Sequence, residues 1–587
     1  MARKYEGNLS IDRFLGLNQS ADNIGLSYAA DGYNFSVKHG VLRSVRKPSE
    51  CYTATDFEPD YYYSTDENDT LDARTERRMM GIISQRWKDG YSGAIPADTT
   101  WLITVLNGRI YTRKSVGGTT HEFYGTDWVL VYDGGFQSDL FDCVTYEINY
   151  APPEIFTNSI LIEVMNKSAS IYVFDADDCE YHILENNGED YAFYTNKNGE
   201  EVKAAVDETY VRRGYDYPVD SLVITNSKDG MYLVYCPPVG AGNDPVIRVT
   251  PIKIQQNAET NDMKFGCVAR FAERIWGAGI ETDPDKLVYS APYDIFNWQQ
   301  NNNRPEDGAG DIQQPDWDGD AFTAIKAFGN QLVCFKRNSI WAITGTNPSA
   351  FYMRKQYGHG TIYEDSIVVH NENIFFATDT GIHTYDSINV TPVKYGYLND
   401  VFEQFSYGEK KTIIACMCAG KYYFNLLTFD SAFNSNSFFC YDTLEGTISA
   451  YKNGLWPRSL VEYNAHVYVL YSNGVKWKLA SLDGQEADNL YYVTAWQDLG
   501  ANNVLKSEFE IYISALVDMG DSVEMEIGIE TEQKKKAKSV TIESGKIRRV
   551  KLNAKGRKFR VWINAKAQKE AWKLAGSIQI LYSLDYD

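Results

Sequence analysis

Hydrophobic positions in this chain cluster in short runs of about four to eight residues set between polar turns, and rarely recur at the three-to-four spacing of an amphipathic helix. One pattern repeats: an apolar strand, a tight polar turn, then a second apolar strand that often carries an aromatic residue. T-W-L-I-T-V-L-N-G-R-I-Y-T, S-I-L-I-E-V-M-N-K-S-A-S-I-Y-V-F, V-A-R-F-A-E-R-I-W-G-A-G, I-K-A-F-G-N-Q-L-V-C-F-K-R-N-S-I-W-A-I-T-G, S-I-V-V-H-N-E-N-I-F-F-A-T-D-T-G-I-H-T-Y and L-V-E-Y-N-A-H-V-Y-V-L-Y-S-N-G-V-K-W-K-L all follow it. From Phe265 to Leu479 these units recur at roughly forty to fifty residues, the spacing of one four-stranded propeller blade. The turns N-G-R, G-N-Q, D-T-G and S-N-G place residues tolerant of positive φ where tight hairpins need them.

A single blade cannot bury both of its faces, so blades must stack, and roughly six to eight are expected. The hairpins around Asn330 and Asn338 should pair within one blade, with Leu332, Cys334, Ile340 and Ala342 in its strands. Trp276, Trp341 and Trp477 take packing positions between blades. After Val493 the pattern becomes strict alternation, as in F-E-I-Y-I-S-A-L-V and V-E-M-E-I-G-I-E, which predicts antiparallel strands with one wet face. The expected fold is therefore all-β: an N-terminal arm of strands over 1–48 that joins a propeller, a β-propeller body with loop insertions over 49–490, and a C-terminal antiparallel β-sandwich over 491–587.

Two polar stretches interrupt the early repeats, Cys51 to Arg78 and Asp175 to Tyr217. The first holds Asp56, Asp60, Asp66 and Asp72 among tyrosines, and reads as a contact insertion or a solvated loop. Formal charge is −22 over 587 residues, but Ala495 to Asp587 carries sixteen Lys/Arg against thirteen Asp/Glu, about +3, and leaves about −25 before it. Such a body repels phosphates, which argues against a sequence-reading nucleic-acid binder. The run K-K-K-A-K (Lys534 to Lys538) reads as a solvated hairpin tip or as a contact to DNA or an acidic neighbour. No apolar run reaches the length of a membrane span and the first residues lack a signal-peptide pattern, so a soluble protein made in the cytoplasm is expected.

Candidate chemistry is sparse. The nine cysteines contain no C-x-x-C and sit mostly in apolar runs, as reduced core residues do. Seven scattered histidines form no H-E-x-x-H, and neither a P-loop nor G-x-S-x-G is present. The acidic runs at Asp175–Asp178 and Asp307–Asp320 lack the spacing of a calcium loop, and A-T-D-T-G-I-H-T around Asp379 copies only part of a sialidase box. No enzyme activity, cofactor or metal is expected.

Three segments resemble the tail nozzle (tail-tube or stabilisation) proteins of short-tailed bacteriophages: Gly16-Leu17-Asn18 with Asn34 and Gly40-Val41-Leu42-Arg43; Glu273 to Trp298 continuing into Asp318 to Gly345; and G-R-K-F-R-V-W-I-N-A with W-K-L-A-G-S-I-Q-I-L-Y near the C-terminus. The resemblance implies a structural virion protein, a ring of copies with six as the expected number, and a channel through which DNA is retained and then ejected. It also implies contacts to the portal or adaptor ring and to fibres, and passage of genomic DNA without sequence-specific binding. In that setting Asp56, Asp60, Asp66 and Asp72 become candidates for a gate. The alternative is a tail-tip adhesin or glycan-degrading propeller, in which the many tyrosines and tryptophans serve as stacking platforms.

Overall fold

The computed structural model describes residues 7–585 except 21–24, 56, 62–76, 85–98, 116–122, 151–152, 155–170, 176–179, 184, 187–191, 204–210, 214–216, 237–245, 255–262, 302, 314–319, 358, 395, 399–400, 403–411, 428–437, 453–454, 456, 485 and 500–502. The chain is all-β, and seven four-stranded antiparallel sheets follow one another among the described residues. Two compact units divide them: Tyr52–Ala73 with Arg78–Ile362, and Met1–Cys51 with Arg74–Arg77 and Tyr363–Asp587. This division falls inside the repeat.

The first unit holds sheets 1 to 4. Sheet 1 comprises Met80–Ser84, Thr100–Leu106, Arg109–Lys114 and Trp128–Asp133, and sheet 2 comprises Asp142–Tyr150, Tyr217–Asn226, Gly230–Tyr235 and Arg248–Ile252. Sheet 3 is Cys267–Phe271, Arg274–Ala278, Lys286–Tyr289 and Gly310–Gln313; sheet 4 is Phe322–Phe328, Gln331–Lys336, Ile340–Thr344 and Tyr352–Tyr357. Each neighbouring pair shares one apolar core. Leu222, Ile224 and Val234 of sheet 2 pack with Ile103 and Val105 of sheet 1, while Val223, Met231 and Leu233 of the same strands pack with Val268, Ile275 and Val288 of sheet 3. Alternate residues thus enter opposite cores, and an interior strand buried on both faces reads as one continuous apolar run. The first strand of sheet 3 lies against the first strands of sheets 2 and 4, which marks one edge of the stack as common.

An insertion separates the first two strands of sheet 2. It forms a four-stranded sheet (Pro153–Glu154, Val211–Arg213, Ile171–Asp175, Glu180–Ile183) and a three-stranded one (Glu185–Asn186, Ala192–Thr195, Glu201–Lys203). The segment ending in S-I-Y-V-F, expected to be a repeat hairpin, therefore contributes Ile171–Asp175 to an inserted sheet; its earlier part lies outside the described residues.

The second unit holds sheet 5 (Val368–His370, Asn373–Thr378, Gly381–Tyr385, Val390–Pro392), sheet 6 (Thr412–Cys418, Lys421–Leu427, Phe438–Asp442, Thr447–Tyr451) and sheet 7 (Pro457–Tyr463, His466–Ser472, Trp477–Ser481). Sheet 7 takes its fourth strand from Ser49–Glu50, paired antiparallel to Ser481 and Ala480. Along Thr412–Cys418 the alternation is complete: Ile413, Ala415 and Met417 face one core, Ile414, Cys416 and Cys418 the other.

Two larger sheets complete this unit. A seven-stranded sheet joins Gly7–Ile11, Ile578–Asp585, Leu505–Val517, Trp572–Leu574, Val41–Ser44 and Phe35–Lys38 in that order, with Ile547–Gly556 also on Leu505–Val517. A five-stranded sheet has the order Ala29–Tyr33, Leu490–Thr494, Phe559–Ala565, Ser522–Thr531, Lys535–Glu543. Phe509, Ile511, Ile578 and Ile580 of the first and Tyr492, Ile527, Val561 and Ile563 of the second belong to one core. Segment 1–48 gives its paired strands to these two sheets, and the N-terminal strand that enters a repeat sheet is Ser49–Glu50.

Candidate functional site

Trp276 and Trp341 lie in the single core between sheets 3 and 4, both nearly inaccessible. Trp276 donates its indole N–H to Phe271 O at 3.0 Å and packs on Tyr289 and Phe351 at ring separations of 4.6 and 5.0 Å. Trp341 donates to Ser339 Oγ at 3.1 Å, and Leu332, Cys334, Ile340 and Ala342 are buried in its sheet. Trp477 is fully buried in sheet 7. The side chains of these three tryptophans are thus spent in the interior.

Beside Trp276, the buried Arg274 donates to the carbonyls of Ser290 (2.7 Å), Gly308 and Glu306, and its guanidinium lies 5.2 Å from the Tyr289 ring. Burial holds its pKa below the usual arginine range, with Tyr289 and Asp307 pulling the other way. Arg113 in sheet 1 is used similarly, donating to Tyr52 O, Phe123 O and Thr126 Oγ1. Lys336 in sheet 4 pairs with Asp285 at 2.6 Å. Each buried cation satisfies carbonyls or a carboxylate that loop backbone brings inside.

The N-terminal segment forms a strap. Leu17 N donates to Ile448 O at 2.7 Å, and Gly16, at φ 86°, sits where a methyl group would meet Ile448 O at 2.8 Å. Asn34 is fully buried at φ 56°; its backbone N–H donates to Ala450 O, its Nδ2 to Lys452 O (3.1 Å) and Asn489 Oδ1 (3.3 Å), and its Oδ1 accepts from Lys452 N (2.6 Å). The strap therefore runs along the free edge of Thr447–Tyr451, the outer strand of sheet 6, before entering the C-terminal sheets. The turn at Gly40 (φ 75°) then joins Phe35–Lys38 to Val41–Ser44.

Asp56, Asp66 and Asp72 lie outside the described residues. Asp60 is exposed, and its backbone carbonyl accepts from Asn107 Nδ2 at 2.7 Å. Asp379 accepts from the Tyr363 hydroxyl. Eight described cysteines are free thiols, seven of them buried; burial pushes Cys236 and Cys418 up to about 11. Such thiols are poor nucleophiles at neutral pH. The lysines of K-K-K-A-K are exposed at the start of Lys535–Glu543, an edge strand, where charge blocks edge-to-edge pairing.

Sequence reasoning missed one surface altogether. On the outward face of the five-stranded sheet, register aligns Tyr33, Tyr491, Asn564, Glu526 and Ser539 in one row across all five strands. Glu524, Ser539, Thr541 and Lys566 line with Glu526 and Asn564 a cleft of about 410 Å³. The Tyr33 and Tyr491 rings lie 5.5 Å apart, and burial together with Asp31 raises both phenol pKa values, which keeps them neutral donors. Two residues further along, on the same face, Trp562 lies against Gly528, where a methyl group would meet its ring at 2.2 Å. Its indole N–H lies over Gly528, buried and without a hydrogen-bond partner. Five strands spread over residues 29 to 565 build this row, so no local signal announces it.

No protein-family model and no curated protein sequence matches the chain. Among solved structures, the sialidase of Trypanosoma rangeli is similar at 8% identity over 66% of this chain and 94% of that one, with a TM-score of 0.27. The Pan2 WD40 domain of Neurospora crassa is 8% identical over 54% and 90%, at 0.26. An exo-β-1,3-galactanase from Phanerochaete chrysosporium is 9% identical over 56% and 98%, at 0.23. Scores this low carry no argument about this chain.

Proposed function

We propose that this chain is a structural protein of a bacteriophage tail of the nozzle or tail-tube type, with a β-propeller body whose blades are the seven repeat sheets and a C-terminal β-sandwich formed by the two larger sheets. It acts without catalysis, as one copy in a ring, held between other tail proteins and passing DNA by charge repulsion. The observation that carries this reading is the use made of the three segments resembling that family. Gly16, Leu17 and Asn34 fix the strap to sheet 6, Arg274 and Trp276 knit sheet 3, and Phe559–Ala565 is the central strand of the five-stranded sheet. All are joints of a scaffold. Gold-labelled antibodies against the chain, applied to purified particles, test it: label at the tail supports the reading, and particles that never carry the chain overturn it.

The outward face of the five-stranded sheet favours a second reading, a glycan-binding tail-tip protein. Incubating the pure chain with host-surface glycans separates binding from cleavage; reproducible product abolished by changing one carboxylate would make the protein an enzyme.

A further inference from the structure

The geometry points to a binding site for a neutral saccharide chain on the outward face of the five-stranded sheet, in the cleft lined by Glu526, Asn564 and Ser539 and extended by Tyr491 and Tyr33. This deepens the glycan-binding reading and does not depend on the ring.

Four features converge on that chemistry. The cleft, at about 410 Å³, falls within the size range of small-molecule sites. Its polar groups are two carboxylates, two hydroxyls, an amide and one ammonium, a set of donors and acceptors suited to the alternating hydroxyls of a sugar ring. With Glu524 and Glu526 against Lys566 alone, the lining carries net negative charge, which disfavours phosphate, sulfate or carboxylate ligands. At its end the row turns aromatic: the Tyr491 ring, half-exposed, is available to sugar C–H groups beside the Tyr33 ring, over which Lys452 Nζ lies at 5.1 Å, and both phenol hydroxyls remain protonated. The row spans five strands, about 19 Å at the usual strand separation, long enough for a chain of three or four sugar units.

The outward position is fixed by the fold. Tyr492 and Ile563, which alternate with Tyr491 and Asn564, enter the core, so a one-residue register slip would bury the cleft's polar groups. Gly528 is required because a side chain there would displace Trp562 from the floor beside the row.

The test is a glycan array probed with the full chain, holding neutral oligosaccharides of two to six units together with sialylated and sulfated ones, followed by titration calorimetry on the best binder. A neutral glycan is expected to bind, and Glu526→Gln and Asn564→Ala are each expected to weaken it about tenfold or more with the melting temperature unchanged. Saturation-transfer NMR on the unaltered chain should show the sugar's protons contacting aromatic residues, a readout that survives if a variant misfolds. Absence of any neutral glycan bound at millimolar concentration, binding of acidic glycans alone, or affinity unchanged in both variants would overturn the site. A chain that rings on micrographs yet binds no glycan would overturn this inference alone.

Discussion

Asn34 tests the strap directly. The residue is fully buried at φ 56°, and its side chain makes three hydrogen bonds, two to Lys452 and one to Asn489. Asn34→Ala removes all three, at about 0.5–1.5 kcal/mol each. It also places a residue with no local hydrogen bond in left-handed backbone, at about 1 kcal/mol more. The loss should total roughly 3–5 kcal/mol. Asn34→Gly deletes the same bonds without the backbone cost, so it should be milder by about 1 kcal/mol. Asn34→Asp keeps the acceptor for Lys452 N but sets a carboxylate oxygen against Lys452 O and Asn489 Oδ1. Only the protonated form of that introduced carboxyl donates there, so its pKa in the folded chain rises above the unfolded value of about 3.9. Stability is then lowest at neutral pH and returns as pH falls through the raised value. Urea unfolding followed by tryptophan fluorescence at neutral and mildly acidic pH, with proteolysis of segment 1–48 as a local readout, measures all three. An alanine variant within about 0.5 kcal/mol of the parent, or a glycine variant less stable than the alanine one, would refute the strap.

Other outcomes follow from the same contacts. Trp341→Asp puts an unpaired charge into the core between sheets 3 and 4 and should unfold that unit, seen as loss of its cooperative melting transition; a variant that folds and assembles normally would sink the placement. Gly528→Ala should destabilise the five-stranded sheet and shift tryptophan emission, because its methyl group collides with Trp562; an unchanged spectrum and melting temperature would contradict the packing. Burial raises the pKa of Asp488, so its native contribution improves as pH falls through that raised value, and Asp488→Asn should stabilise the chain at neutral pH with the gain fading in acid. Melting curves at pH 7 and pH 4 read this, and an equal effect at both would contradict it.

What was legible in the sequence followed from local period. Apolar runs such as Thr412–Cys418, whose residues alternate between two cores, and Gln331–Lys336, from which Leu332 and Cys334 enter one core with Trp341, carry the strand period in themselves. What escaped depends on partners far along the chain. Gly7–Ile11 pairs with Ile578–Asp585 and Ala29–Tyr33 with Leu490–Thr494, more than 400 residues away, so nothing within segment 1–48 itself announces those pairings. Ser49–Glu50 is two polar residues with no strand signature, yet it supplies the fourth strand of sheet 7. The row from Tyr33 to Ser539 exists only in cross-strand register, and each member alone reads as an ordinary residue on a wet face.

The proposed function stands or falls on whether copies of this chain assemble as a scaffold around an axial opening. Electron microscopy of the purified full-length chain over a range of concentrations, averaged into classes, is the most direct measurement. Closed rings of several copies, six by the family resemblance, with a channel on the symmetry axis, are the expected result. Single copies or compact trimers without an axial channel at every concentration would contradict it.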